Sequence, residues 1–197
     1  LVTTADQAGT SALRRTMQDF GWRFKYVVNY LGKPPDMQAI AGFGRAAAAA
    51  AGLRGARIGM MGCRDMRLYA TLHDGVSLRA RVGPEVEFFE MLETVRAMEA
   101  LPEREVRELA AEVRAGWIFE RPPAEGTIEK SIRLYLALRQ KVRERGYRAL
   151  SLKDVDGVKR LLGFTPAATF MLLADREDLP TIPENDVMGS VTQLMVR

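Results

Sequence analysis

The sequence has a single cysteine and a single histidine in 197 residues. With only Cys63, an internal disulfide framework and any cysteine-based zinc cluster are excluded. With only His73, so is a multi-histidine metal site built within the chain. No apolar run approaches the roughly 20 residues that a membrane span needs. The alanine run Ala46 to Ala51 is short and is flanked by Arg45 and Arg54. A basic segment followed by an apolar one is missing from the start, so no signal peptide is read. The expectation is a cytoplasmic protein with no membrane partner. Internal repeats and low-complexity tails are also lacking. What remains is ordinary: 47% apolar and 27% charged residues, which excludes disorder and collagen. A chain of this length buries roughly 70% of its unfolded surface, so its core needs no disulfide or metal staple.

The formal net charge is +4, and arginine outnumbers lysine. A nucleic-acid binder clusters such charges on one stripe. Here acids interrupt them, as in Glu103-Arg104-Glu105 and Arg107-Glu108, a pattern of solvated helix faces with i,i+3 and i,i+4 pairs. No nucleic-acid partner is expected. The chain begins at Leu1 and stops at Arg197 after the apolar-rich run Val187 to Val196, which reads as part of a larger multidomain polypeptide.

Hydrophobic periodicity and glycine or proline punctuation divide the chain. Helices are expected over Gln7 to Asp19, Asp36 to Ala51, Met91 to Ala100, Pro102 to Gly116 and Thr127 to Arg145. Further helices are expected over Asp154 to Leu162, Pro166 to Ala174 and from Asp186 onward. The Ala46 to Ala51 run has high helical propensity and would permit close packing on a sheet. Asp65 to Val82 reads as helical in two pieces, broken at Asp74-Gly75. Strands are expected over Trp22 to Leu31, Arg57 to Met61, Glu85 to Phe89 and Arg148 to Leu152, with Pro180 to Pro183 extended. Strand and helix alternate with connections too long for hairpins. This predicts an α/β fold, a parallel doubly wound (Rossmann-like) sheet in three layers.

Ligands of such sheets bind beyond the strand carboxyl ends, so residues there are candidates. Gly59-Met60-Met61-Gly62 ends a strand but lacks the third glycine and the acid of a dinucleotide fingerprint, and the Lys-Ser/Thr of a phosphate loop. Its glycines read as the makings of a tight turn. The following Cys63-Arg64-Asp65-Met66 is polar enough to line a ligand rim. Cys63 reads as a small residue at a strand end, and His73 as a surface or capping group. Lys153, Asp154 and Asp156 follow the strand ending at Leu152 and fall in the same crevice, with Asp154 also fit to cap the next helix.

Pro183-Glu184-Asn185-Asp186-Val187-Met188-Gly189 is the most informative segment. In an extended segment, residues i and i+2 point to the same side. Glu184 and Asp186 could then converge on one substrate hydroxyl or one divalent cation, Mn²⁺ or Mg²⁺ suiting hard oxygen ligands. The alternative is a capping Asp186 with an acidic neighbour favoured by the helix dipole. Spacing alone favours the cap.

The stretch Ile182 to Met195 resembles the Glu-Asn-Asp segment and following apolar helix of the L-fucose isomerase family of aldose–ketose isomerases. Arg57 to Met66, Val82-Gly83-Pro84-Glu85-Val86, the helical pair to Arg114, and Ala149 to Lys153 recur upstream in the family's order, so the resemblance runs from about Phe24 to the end. It implies a middle domain over 32–180, the end of an N-terminal domain over 1–31, and the start of a C-terminal region over 181–197. It further implies a hexamer with sites at subunit boundaries, and a sugar substrate whose carbonyl moves between C1 and C2 through an enediol stabilised by Mn²⁺. By position, Asp186 matches the family's metal-binding, proton-transferring Asp. Glu184 would ligate or orient, and Met66 sits where the family places a methionine near substrate. Arg64 and Asn185, beside these positions, are the remaining substrate-binding candidates. The sequence departs from the pattern in two places. The family's other metal-binding Glu would fall near Thr165 to Phe170, which holds no acid; Asp154, Asp156 or Asp175 would need another geometry. The family's histidine ligand lies in a later domain, and His73 does not match it. The expectation is a catalytically silent fragment of an isomerase. A non-catalytic sugar-binding module or an oligomerisation module is the alternative.

Overall fold

The computed structural model describes residues 2–4, 8–30 and 32–197. The chain forms two compact units, Leu1–Gly52 and Leu53–Arg197. This division falls within the segment 32–180, and residues 181–197 lie in the second unit.

In the first unit, β1 (Val2–Thr4) pairs in parallel with β2 (Val27–Asn29), and α1 (Ala8–Asp19) connects them. Gln7 and Leu31, the outer ends of the expected first helix and strand, lie outside the described residues. The strand expected from Trp22 shrinks to three residues, the length of its ladder with β1. α2 (Met37–Gly55) runs through Gly52, and none of its residues is buried. The alanine run is exposed, not packed on a sheet.

The second unit holds four strands: β3 (Arg57–Met61), β4 (Glu85–Phe89), β5 (Ala149–Leu152) and β6 (Thr181–Ile182). They form one all-parallel sheet in the order β4-β3-β5-β6. Successive residues of each strand point to opposite faces, so each face acquires its own core. Ile58, Met60 and Ala149 meet Leu78 of α3 (Gly75–Arg81) and Val187 and Val191 of α8 (Val187–Val196). On the other face Met61, Phe89, Leu150 and Leu152 pack with α5 (Glu103–Gly116), α6 (Thr127–Arg145) and α7 (Ala167–Glu177). The result is the three-layer α/β architecture that the alternation predicts. α6 touches α4 (Met91–Glu99), α5 and α7. That is why Leu134 and Leu136 to Leu138 are buried on more than one side of it.

Gly59 is a packing residue, not part of a turn. A Cβ there would lie 2.5 Å from the Tyr147 ring and 2.7 Å from Leu150 Cδ2. Gly62, at φ 74°, makes the turn out of β3.

The two-piece helix expected over Asp65 to Val82 is reduced to one short 3-10 turn, Asp65–Arg67, and α3. Positive φ at Arg64, Met66 and Arg67 breaks helical geometry after β3. α3 starts where Asp74 accepts the Val76 N–H at 3.0 Å and the Ser77 hydroxyl at 2.6 Å. Asp154–Leu162 is a π-helix, marked by Val158 N–H donating to the Lys153 carbonyl five residues back. No helix among the described residues is long and apolar enough to cross a membrane.

Candidate functional site

Strand order places the chain's reversal between β3 and β5. The segment leaving β3 leads to α3 on one face; the segment leaving β5 leads through the π-helix to α7 on the other. Divergent loops of this kind open a crevice at the strand carboxyl ends, the usual ligand position in such sheets. A cleft of about 650 Å³ opens there. Phe88, Phe89 and Glu90 from β4's end, Gly62 and Cys63 from β3's end, and Lys153 from β5's end line it, with Met91, Gly157 and Leu161. Most of the wall is apolar, with Glu90, Lys153 and the exposed Cys63 as its polar groups. Gly157 keeps the floor open: a Cβ there would sit 3.1 Å from the Met91 sulfur.

The rim beside this cleft is tied together by carboxylates. Asp65 is fully buried. Its Oδ1 accepts the N–H of Met66 at 3.0 Å and of Asp156 at 2.8 Å, and its Oδ2 accepts the N–H of Val155 at 2.7 Å. An anion thus sits on the free N–H groups that open the π-helix, where the helix dipole favours it. Asp156 returns the contact, its Oδ2 accepting the Met66 N–H at 2.9 Å while its Oδ1 accepts from Arg160 at 2.7 Å. Asp154 reaches the next segment, its Oδ1 accepting the Glu184 N–H at 2.8 Å, with Lys159 Nζ 3.7 Å from its Oδ2.

The Glu-Asn-Asp segment is a turn, not an extended strand. Asp186 N–H donates to the Pro183 carbonyl at 3.3 Å, and the two central residues have positive φ, 63° at Glu184 and 56° at Asn185. Two left-handed central residues define a type I′ turn. The i,i+2 argument for a shared side therefore does not apply to Glu184 and Asp186. Asp186 caps α8, its Oδ1 accepting the Gly189 N–H at 2.9 Å. Asn185 is buried and pins the turn to the sheet. Its side-chain NH₂ donates to the Met61 carbonyl at 3.0 Å and its backbone N–H to the Leu152 carbonyl at 3.1 Å. Its Oδ1 is buried with no hydrogen-bond partner among the described residues.

All five sequence-derived candidates thus sit at one end of the sheet, bonded into or beside the rim, but none is among the residues lining the cleft. The Arg64 guanidinium lies over the Tyr69 ring, 5.2 Å from its centroid, and Met66 is partly exposed. Sequence reasoning passed over Asp65 as an anchor, and Phe88 and Glu90 as lining. Phe88 and Glu90 lie at the end of β4, so the rule that marked Lys153 also marks them. Asp65 carries little local signal, because two of its three donors are 90 and 91 positions away.

The carboxylates of this rim do not fit a metal site by themselves. Those of Asp65, Asp156 and Asp186 accept hydrogen bonds from backbone N–H groups, as does that of Asp154. Among the described residues no three His, Cys, Asp or Glu side chains are grouped to hold an ion. The sequence matches no protein-family model, and no curated protein matches it significantly.

Proposed function

We propose that the cleft at the ends of β3, β4 and β5 binds a small polyhydroxylated ligand, a sugar, in the sheet-bearing portion of an L-fucose-isomerase-like protein. One observation carries this reading: three of the stretches that bear the family resemblance, Arg57 to Met66, Ala149 to Lys153 and Ile182 to Met195, meet at the rim of one cleft at the switch point. Asn185 joins them, its side chain donating to the Met61 carbonyl and its backbone N–H to the Leu152 carbonyl, and Asp154 and Asp156, just after Lys153, accept the N–H groups of Glu184 and Met66. Backbone strain supports it. Among the described residues, Arg64, Met66, Arg67, Glu184 and Asn185 have positive φ on this rim. Such conformations cost roughly 1–3 kcal/mol each and cluster at ligand sites. Glu90 and Lys153 would accept from and donate to sugar hydroxyls, and Phe88 offers an apolar face to the ring. On this reading the parent interconverts an aldose and a ketose through an enediol, and the ligand set of its Mn²⁺ is completed by residues outside this sequence. Self-association belongs to the same reading.

A second reading, a metal-independent sugar-binding module, is favoured by the capping role of Asp186. Calorimetry with a panel of aldoses and ketoses, with and without Mn²⁺, tests both. Sugar binding weakened at least fivefold by Glu90→Gln or Lys153→Met is expected. No binding by any sugar at about 10 mM, a free energy weaker than roughly −3 kcal/mol, would overturn the proposal. Asp186→Ser separates the two readings, because serine also caps a helix. Tightening by Mn²⁺ that Asp186→Ser abolishes at unchanged Tm supports the isomerase reading. Sugar binding indifferent to both supports the module.

A further inference from the structure

At the opposite end of the sheet lies a second cavity, of about 410 Å³, within the range of small-molecule sites. Its lining is polar and cationic: Arg54, Arg57, Arg79 and Arg145, with Glu85 and the backbone at Gly55, Ala56 and Gly146. β3 runs from this cavity, at Arg57, to the sugar cleft beyond Met61.

Part of this cluster has a structural task. In a parallel α/β unit the helix carboxyl ends gather at this edge, and their last carbonyls lack intrahelical partners. Arg79 Nη1 donates to the Arg54 carbonyl at 2.9 Å and to the Gly83 carbonyl at 2.5 Å. Arg57 Nη1 donates to the Arg145 carbonyl at 2.9 Å. Arg145 is neutralised, its Nη1 2.6 Å from Glu87 and its Nη2 2.8 Å from Glu93. The Arg57 Nε lies 3.7 Å from Glu87.

These contacts do not account for the charge. Each guanidinium carries five N–H donors, and the carbonyls engage only one terminal nitrogen of Arg79 and one of Arg57. Among the described residues, neither Arg54 nor Arg79 has a carboxylate within ion-pair distance. The positions are also built. Gly83, at φ +120°, allows the last turn of α2 to close on it so tightly that a Cβ would fall 2.7 Å from Arg54 Cα. This contact seats Arg54 beside Arg79.

We propose that this cavity binds the phosphoryl group of a small phosphorylated metabolite, with Arg54 and Arg79 as its principal donors. Arginine's planar fork matches phosphate oxygens, and charge-assisted bonds of this kind are the strong ones. A concave cavity at the sheet edge, as opposed to a flat basic stripe, favours a small ligand over a nucleic-acid backbone. The site is separate from the sugar cleft and does not depend on the reading given to that cleft.

The test is titration of the full chain with inorganic phosphate by calorimetry and ³¹P NMR, with chloride balancing the ionic strength. Saturable one-to-one binding is expected, weakened about tenfold by Arg54→Gln, the loss of one charge-assisted fork. The Tm without phosphate should stay unchanged, because Arg54 is exposed and its side chain has no ion-pair partner among the described residues. Arg148→Gln, an exposed arginine outside the cavity, should leave binding as it is. Absence of saturable binding overturns the proposal. So does binding that Arg54→Gln and Arg148→Gln weaken equally, which marks non-specific charge. Binding of duplex DNA a hundredfold tighter than phosphate, and abolished by Arg54→Gln, overturns it in favour of a nucleic-acid surface.

Discussion

Asp65 and Asp156 clamp the two diverging loops of the sheet by reciprocal backbone contacts. The Asp65 carboxylate accepts the Asp156 N–H at 2.8 Å, and the Asp156 carboxylate accepts the N–H of Met66, the residue after Asp65, at 2.9 Å. The loop after β3 and the π-helix after β5 therefore hold each other at fixed spacing, and the cleft lies between these strand ends.

Replacing Asp65 tests how far that clamp stabilises the fold. Asp65→Ala leaves three backbone N–H groups, those of Met66, Val155 and Asp156, without this acceptor. Each orphaned buried donor costs about 1–3 kcal/mol, although Met66 N–H keeps Asp156. A loss of about 2–4 kcal/mol in urea-unfolding stability is expected. Asp156→Ala, whose target N–H retains Asp65, should cost less than half as much. Equal effects of the two variants would show that Asp65 is not the central anchor.

Two glycine substitutions should move stability in opposite directions. At Gly59 a methyl group collides with Tyr147 and Leu150, and overpacking of this kind costs about 1–3 kcal/mol. Gly44, inside α2, has nothing within 4 Å of a built Cβ, so Gly44→Ala should stabilise by about 0.5–1 kcal/mol through helix propensity. Chemical unfolding of both variants beside the unsubstituted chain reads the two signs.

Titration should destabilise the protein at both extremes of pH. Burial opposes ionisation of Glu87, but the Tyr147 hydroxyl and the Arg145 guanidinium outweigh it and hold its carboxyl below the usual range. Glu93 is lowered chiefly by its bond from Lys141. Burial likewise opposes ionisation of Glu177, and bonds from Tyr135 and Arg143 overcome it. A carboxyl depressed in the folded state stabilises above its unfolded pKa, and that stability is lost as pH falls through the folded value. Acid unfolding should therefore begin below about pH 4.3, the ordinary glutamate value, and Glu87→Gln should flatten it. At the alkaline end burial, aided by the Glu87 carboxylate, pushes the Tyr147 hydroxyl up to about 12. A raised pKa stabilises below the unfolded value of about 10, and this stability is lost between there and 12. Phenolate absorbance of the chain minus that of Tyr147→Phe should show the Tyr147 hydroxyl ionising near 12, with Tm falling across the same interval. A difference titration centred near the ordinary tyrosine value of about 10 would contradict the assignment.

Much of the fold is legible in the chain because it is written in short-range chemistry. The bounds of β3, β4 and α6 coincide with those read from periodicity and punctuation. Gly146 ends α6 in a left-handed conformation, φ 67°, as a helix-stopping glycine should. Of the candidate site, the strand-end rule located Lys153 at the cleft and the rim around it. The turn at Glu184-Asn185 was not legible, because Pro-Glu-Asn-Asp is compatible with either an extended or a turned backbone. The exposure of Ala46 to Ala51 was not legible either, since alanine propensity specifies a helix without saying what it packs against.

Periodic apolar spacing, caps and glycines act over a few residues, so the amino-acid order alone settles most of the helices and strands of the second unit, and hence the parallel α/β class. That Asp65 and Asp156 act as anchors is set by donors brought from some 90 positions away, and only the assembled sheet supplies them. The same holds for the four arginines at the opposite edge, scattered over Arg54 to Arg145. Hydrogen bonds and charge pairs act across space, whatever the distance along the chain, so the site belongs to the tertiary structure.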